Sequence, residues 1–441
     1  MFRRLEVFSL YCTHAHSKTP ISDTTSNLMF GAFFSDPNAT NVHPVTLNLT
    51  PPEIYGELTA DDLNWTCAGG FATETQIWYN VLEDGTFLMC QIIHSAVGLW
   101  YPNVQFTFRM YNPTTKEHTW RSTNVSGFVS PPPGLNDKRS CKSDHFTIKF
   151  NSTGDDEEES YSIIANAADD LQVTLEVTRP SSILGFKVGK GPKGGYTYFG
   201  ADVEKPEGYV FHKFWPRTSC KGHIIHKGQA IPAVGHGMFV HAIQGMRPNL
   251  VASKWNFATF QSEDNGGVAA VMMEFTTTDG FGQKGAGSGG VKVNVGGLVV
   301  GGKLVAVTGE TIWPGETAQA NPDFQSRAIH HDAKLDKDTS YEAPQRITYE
   351  WAGPSIVDQG IVKATLDLPL GDPQSYTGLI GKVDVLAEIP KVLKTVIAYA
   401  AGTKPYIYTF FNPASLSITM GNGETTTVKG AVFNEATFIS K

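Results

Sequence analysis

Histidine and cysteine are the residues from which a reactive centre in this chain would be built, and their spacing argues against one. His236 and His241 stand five positions apart. On a strand they point to opposite faces, and on a helix they sit about 140° apart, so neither conformation gives a chelate. His223 and His226 have the same parity fault on a strand, and His330 and His331 are adjacent in a polar stretch read as a loop. Cys90 and His94 share strand parity, but at ~3.3 Å per residue they lie ~13 Å apart, too far for a thiol–imidazole pair. Cys12, Cys67, Cys90, Cys141 and Cys220 are widely spaced, with no Cys-x-x-Cys. That pattern predicts reduced thiols rather than a zinc site or a disulfide framework. No Gly-x-Ser-x-Gly elbow occurs. The chemistry-bearing residues therefore predict no metal, no cofactor and no catalytic residue.

Two stretches fit Gly-x-Gly-x-x-Gly, Gly189 to Gly194 and Gly285 to Gly290. A dinucleotide loop must follow a strand and open a helix, whose N-terminus holds the pyrophosphate. The second stretch runs instead into the strand pattern Val291-Lys292-Val293-Asn294-Val295. The first contains Pro192 and leads into Tyr196-Thr197-Tyr198-Phe199. Both read as glycine-rich hairpin loops.

What remains is apolar. Phe106, Phe108, Met110, Trp215, Phe239, Trp255, Phe257 and Met272 all fall in strand-like segments. Inward residues of a small barrel either fill it or line a cavity for one ligand, and flexible methionines suit a long-chain guest. Glu274 is in phase with Met272 and Ala270. If that side is interior, its carboxyl is a polar handle for a ligand hydroxyl or amide. These nine residues are the expected lipid-binding set.

The elements that must position them are strands. Gln105 to Tyr111 sets Phe106, Phe108 and Met110 against Gln105, Thr107 and Arg109, and Leu171 to Val177 alternates in the same way. Turn signals such as Glu83-Asp84-Gly85, Asn112-Pro113 and Asn422-Gly423 separate the runs. One amphipathic helix is expected, on Leu386, Ile389, Leu393, Val396, Ile397 and Ala400, closed by Gly402 and Pro405. The reading is a mainly β chain with two tandem antiparallel barrels: a flexible segment over 1–54, one barrel over 55–218 and a second over 219–441. A length of 441 residues and a 41% hydrophobic content suit two cored domains. The net charge of −8 argues against a nucleic-acid partner. No apolar run reaches the ~20 residues of a spanning helix, which leaves Phe2, Arg3, Leu5 and Phe8 as the expected peripheral membrane contact.

Several longer motifs resemble the survival factor family of fungi. They include Gln91-Ile92-Ile93-His94-Ser95, Phe106-Thr107-Phe108, Tyr198-Phe199-Gly200 and Phe214-Trp215-Pro216-Arg217. Gly237 to Met246, Trp255-Asn256-Phe257, Val271 to Thr277, Ala400 to Tyr408 and Glu435 to Ser440 extend the match over roughly residues 57–441. The resemblance implies two lipocalin-like (calycin) domains and a ceramide-binding protein. It implies carriage of ceramide from endoplasmic reticulum to early Golgi, support of sphingolipid synthesis, and survival under oxidative and cold stress. It also implies a cytoplasmic and nuclear protein with a peripheral ER and Golgi membrane pool. Family members open with a short amphipathic helix, a pattern that residues 1–54 do not clearly repeat. The same barrel pair resembles carotenoid hydratases. An enzyme reading, a hydratase or isomerase of a polyene or terpenoid with Glu274 as its acid, therefore stands beside lipid carriage. A third reading is a stress scaffold with filled barrels.

Overall fold

The computed structural model describes residues 39–96, 102–152, 158–282, 290–316, 324–385 and 405–439. Hydropathy patterning decides where each strand sits. Ile361–Pro369 alternates buried and exposed residues along most of its length, and Leu171–Arg179 sends Leu171, Val173, Leu175 and Val177 inward. Each has one wet face. Phe87–Ser95 and Val268–Thr277 instead carry unbroken apolar runs, Phe87 to Cys90 and Val268 to Met273, and are buried on both faces. One face lines an interior and the other packs against the opposite half of the molecule.

Two curled, barrel-like antiparallel sheets result, so the chain is mainly β, as expected. The N-terminal sheet has fifteen strands among the described residues. Its main path runs His118–Val125, Asn103–Tyr111, Phe87–Ser95, Thr73–Leu82, Gly235–Gln244, Gly208–His226, Leu171–Arg179, Glu159–Ala168, Phe146–Ser152 and Cys141–Lys142. The Thr123 hydroxyl donates to the Ala167 carbonyl at 2.8 Å, drawing one edge of the sheet toward the other. The C-terminal sheet has ten strands. Its path runs Lys303–Ile312, Lys292–Val300, Val268–Thr277, Ala252–Ser262, Thr425–Phe438, Tyr406–Thr419, Ile361–Pro369, Arg346–Pro354 and Gln325–His331. Its edges meet where Ala306 bridges Ser355 and the Ile356 N–H donates to the Val305 carbonyl at 2.9 Å.

The expected division at 218/219 is corrected. It falls inside the continuous strand Gly208–His226, and Gly235–Gln244 pairs with Thr73–Leu82 over its whole length. The change of sheet comes after Gln244, across 245–251, because a strand belongs to the sheet whose ladder satisfies its backbone. The flexible segment expected over 1–54 is corrected for its described part. Val42–His43 pairs with Phe199 and Tyr198, the Asn41 N–H donates to the Gly282 carbonyl at 3.2 Å, and the Thr46 and Thr311 hydroxyls bond. Residues 39–54 thus strap the two halves together. The hairpin loop expected at Gly189 to Gly194 is corrected. Phe186–Val188 and Tyr196–Phe199 both pair with Gly208–His226 in succession, so the glycines form a loop bulging from one sheet edge, with positive φ at Gly189 and Gly191 and the Gly195 N–H closing onto the Val188 carbonyl at 2.7 Å.

Between the sheets lies an apolar junction. Tyr79 stacks on Phe257 at 5.1 Å and Phe87 on Phe433 at 4.5 Å. Phe186 fits over Gly297, where a Cβ would come within 2.6 Å of its ring. Arg217 crosses from the Trp215-Pro216-Arg217 motif to donate to Gln261 at 3.1 Å. The expected helix over 386–400, the membrane-contact residues Phe2, Arg3, Leu5 and Phe8, and Gly285 to Gly289 lie outside the described residues. Among the described residues no helix is long and apolar enough to cross a membrane.

Candidate functional site

The nine expected lipid-binding residues are divided among three places. Phe106, Phe108, Trp215 and Phe239 are fully buried in the N-terminal interior, with half-buried Met110 packed against them. Met272 lies in the C-terminal interior, and Glu274, in phase with it, points the same way. Trp255 and Phe257 face outward instead. Phe257 joins the junction against Tyr79, and Trp255 packs on Phe275 and His212. Their inward expectation fails because both faces of the Ala252–Ser262 strand are buried, so apolarity does not distinguish inside from outside.

Sequence reasoning missed the partners of Trp215 and Phe239. Trp78 and Tyr161 complete a cluster in which Phe239 lies 5.3 Å from Trp78, 5.0 Å from Tyr161 and 5.1 Å from Trp215, centroid to centroid. The alternation of Glu159–Ala168 is the signal that would have located Tyr161, whereas Thr73–Leu82, with Glu74, Gln76 and Asn80 on the face of Trp78, carries no such pattern. The Trp78 and Trp215 indole N–H groups and the Tyr161 hydroxyl, all buried, have no hydrogen-bond partner among the described residues. Each such group costs about 1–3 kcal/mol relative to a paired one. Burial pushes the Tyr161 phenol well above its ordinary pKa, which keeps it a donor. The Cys90 thiol in the same interior is likewise pushed up by burial and stays protonated.

One end of this interior is closed by residues 59–67. The Gln76 amide donates to the Leu63 carbonyl at 3.1 Å, and His241 bonds the Asp62 carbonyl at 3.0 Å and Glu74 at 2.8 Å. Glu74 also accepts from the Thr66 N–H and hydroxyl and the Cys67 N–H. Burial works to raise the Glu74 carboxyl, but the bonds from His241 and Thr66 outweigh it and hold the group below its usual range. Asp62 is held low in the same manner by Lys187, Thr59 and Lys213, again against burial. His241 and His236 do point to opposite faces, as parity requires. His241 is wholly buried, and His236 meets Glu263 at the junction.

In the C-terminal interior Glu274 is enclosed by donors. The Asn256 and Asn294 amides reach it at 2.9 and 3.1 Å, and the Ala328 N–H at 3.2 Å. His330, expected in a loop, ends the strand Gln325–His331 and bonds Asn256 at 2.8 Å. Burial brings its pKa down to about 3. Glu274, the acid that a hydratase would use, is thus an anchor for three neighbours. At the junction burial pushes Glu435 up to about 7, with Arg109 opposing the shift. Two pockets there have room for about one water each, ≈ 10 Å³. One lies among Val45, His212, Met273 and Phe275, the other among Tyr79, Phe87, Gln261 and Phe433. Neither admits an acyl chain.

Comparison with known proteins adds relatives along nearly the whole chain. A ceramide-binding protein svf1 of Schizosaccharomyces pombe is 32% identical over 403 residues, covering 90% of this chain and 94% of the relative. A ceramide-binding protein SVF1 of Yarrowia lipolytica is 34% identical over 397 residues, covering 88% and 91%. The crystal structure of kievitone hydratase from Nectria haematococca aligns with 91% of this chain and 98% of its own, at 12% identity and a TM-score of 0.45. That likeness is too distant to bear on activity. The profile of the Svf1 family matches residues 28–440. From the edge strap to the last strand, this chain belongs to the Svf1 family.

Proposed function

We propose that this protein binds ceramide in the interior of its N-terminal sheet and carries it from the endoplasmic reticulum to the early Golgi. The observation that carries the reading is the cluster of Trp78, Tyr161 and Trp215, whose donors lack partners among the described residues in the aromatic middle of that interior. The names of the relatives, ceramide-binding proteins, support the choice of lipid. In this reading the two sheets are lipocalin-like barrels. Phe106, Phe108, Met110, Trp215 and Phe239 surround the guest, while Trp255, Phe257, Met272 and Glu274 act as structural residues. Each buried CH₂ contributes about 0.8 kcal/mol, so long chains supply affinity without a charged contact. The rings are in mutual contact, so a guest must part them.

In the cell the same reading has a cytoplasmic and nuclear protein that touches ER and Golgi membranes through Phe2, Arg3, Leu5 and Phe8. Survival under oxidative stress is the consequence of sustained sphingolipid supply. Purified full-length protein, incubated with ceramide-containing membranes and reisolated, should carry chemically unchanged ceramide detectable by native mass spectrometry. Protein that comes away empty of every lipid sinks the reading, and a converted lipid turns it into an enzyme.

A further inference from the structure

Thr218, Gly237 and Asn80 form one row across three adjacent strands, Thr218 paired with Gly237 and Gly237 with Asn80. Asn80 is in phase with Trp78, and Thr218 with Cys220, both members of the N-terminal interior. Each of the two is 1% exposed. The Thr218 hydroxyl and both ends of the Asn80 carboxamide have no hydrogen-bond partner among the described residues. Burying such groups unpaired is costly, and the water-sized pocket of about 10 Å³ at the junction also touches Asn80 and Gly237.

Gly237 is part of the arrangement. A Cβ there would come within 1.8 Å of the Tyr79 carbonyl and 2.8 Å of the Asn80 side-chain oxygen. The row therefore has Gly237 as its floor, with the Asn80 carboxamide leaning over it from one side and Thr218 on the other, their backbones two strand spacings or about 10 Å apart. The Trp78 and Trp215 N–H groups and the Tyr161 hydroxyl add unpaired donors in the same interior. A carboxamide and a hydroxyl each both donate and accept. Their complement is an uncharged group that does the same.

The nearby cations are engaged. The Arg139 guanidinium lies 3.6 Å from the Phe150 ring and Arg179 5.7 Å from that of Trp215. Arg139 is paired with Asp137 at 2.8 Å, and Arg179 with Glu159 at 2.7 Å. A phosphate entering beside these rings meets two carboxylates and no unengaged guanidinium of this pair. Burying that charge unpaired is prohibitive.

We propose that the Asn80–Gly237–Thr218 row seats the head group of the lipid, and that it selects a neutral amide flanked by hydroxyls over a phosphate ester. The assignment rests on the ceramide-binding reading above. It names the atoms that read the head group and the lipids they refuse.

The test uses the full-length chain as wild type, Asn80→Leu, Thr218→Val and, as a matched control in the C-terminal interior, Asn434→Leu. Each is titrated with ceramide, ceramide 1-phosphate and diacylglycerol of equal chain length, with bound lipid read by native mass spectrometry and folding by thermal melts. Asn80→Leu and Thr218→Val should melt at or above the wild-type temperature, since each removes a buried unpaired polar group. Both should lose at least tenfold in ceramide affinity, while Asn434→Leu keeps it. Wild type should prefer ceramide at least tenfold over either other lipid. Undiminished ceramide binding by Asn80→Leu and Thr218→Val overturns the head-group seat and leaves the proposed function intact. Equal binding of ceramide 1-phosphate overturns the selection against charge, and equal binding of diacylglycerol overturns recognition of the amide. Wild type that binds no ceramide overturns the proposed function itself. Should Asn80→Leu fail to fold, Thr218→Val alone decides the seat.

Discussion

The interiors of the two sheets use similar residues in different states of pairing. In the C-terminal sheet the Trp351 indole donates across the interior to the Val271 carbonyl at 2.9 Å, over Gly296, where a Cβ would crowd that indole at 3.0 Å. Glu274 is saturated by three donors, and Tyr408 donates to Asp336, which also meets Lys382 at 2.9 Å. Among the described residues Asn434 and the Tyr349 hydroxyl, which face each other, are exceptions. In the middle of the N-terminal sheet the indoles of Trp78 and Trp215, the Tyr161 hydroxyl, and the Asn80 and Thr218 side chains have no partner among the described residues. Its paired groups, Glu74 and His241, belong to the closed end. Polar groups satisfied within the fold stabilise it, whereas groups left unpaired lower stability and are free to recognise a ligand. Under the ceramide-binding proposal, the contrast gives structural support to one interior and recognition to the other.

The contrast can be broken in three ways. The largest effect is expected at Glu274→Ala, which strands the Asn256 and Asn294 amides and the Ala328 N–H. Each stranded donor costs about 1–3 kcal/mol, so denaturant unfolding should show a loss of about 3–5 kcal/mol, opposite in sign to the gain expected from Asn80→Leu. A neutral result would mean that the Glu274 network adds no support. The second concerns pH. His330 is held near pKa 3 in the fold against 6.5 for the free side chain, so it stays neutral while the unfolded chain binds a proton. Its contribution is fully present above pH 6.5 and is lost as pH falls toward 3, amounting to about 2 kcal/mol by pH 5. His330→Gln keeps a donor for Asn256 and should flatten the pH 5–7 stability profile by that amount. An unchanged profile removes His330 from the network. The smallest effect compares two indoles. Trp351→Phe and Trp215→Phe lose the same volume, but only the first loses a hydrogen bond, so it should cost about 1 kcal/mol more. Equal costs in calorimetry would erase the distinction between the interiors.

Much of this was readable from strand phase. Phe106, Phe108 and Met110 share a face, Leu171 to Val177 alternates inward and outward, and Glu274 follows Met272 into an interior. Apolarity did not give the face of Trp255 and Phe257, since their strand has an apolar junction on its outer side. It was also silent on Asn80 and Thr218, which look like ordinary polar strand residues until their surroundings are known. The division at 218/219 failed for a related reason. The pairing of Gly235–Gln244 with Thr73–Leu82 joins segments about 160 positions apart, and no local pattern encodes a partner at that distance.

Local chemistry along the chain determined that it would form short antiparallel strands with aromatic inner faces, because side-chain alternation and turn residues act within a few positions of one another. Only the tertiary structure decided which face met an interior and which met the other sheet, and which buried polar groups were left without a partner. Those outcomes depend on neighbours brought together by long-range strand pairing, where hydrogen bonds and packing are completed or left incomplete across the fold.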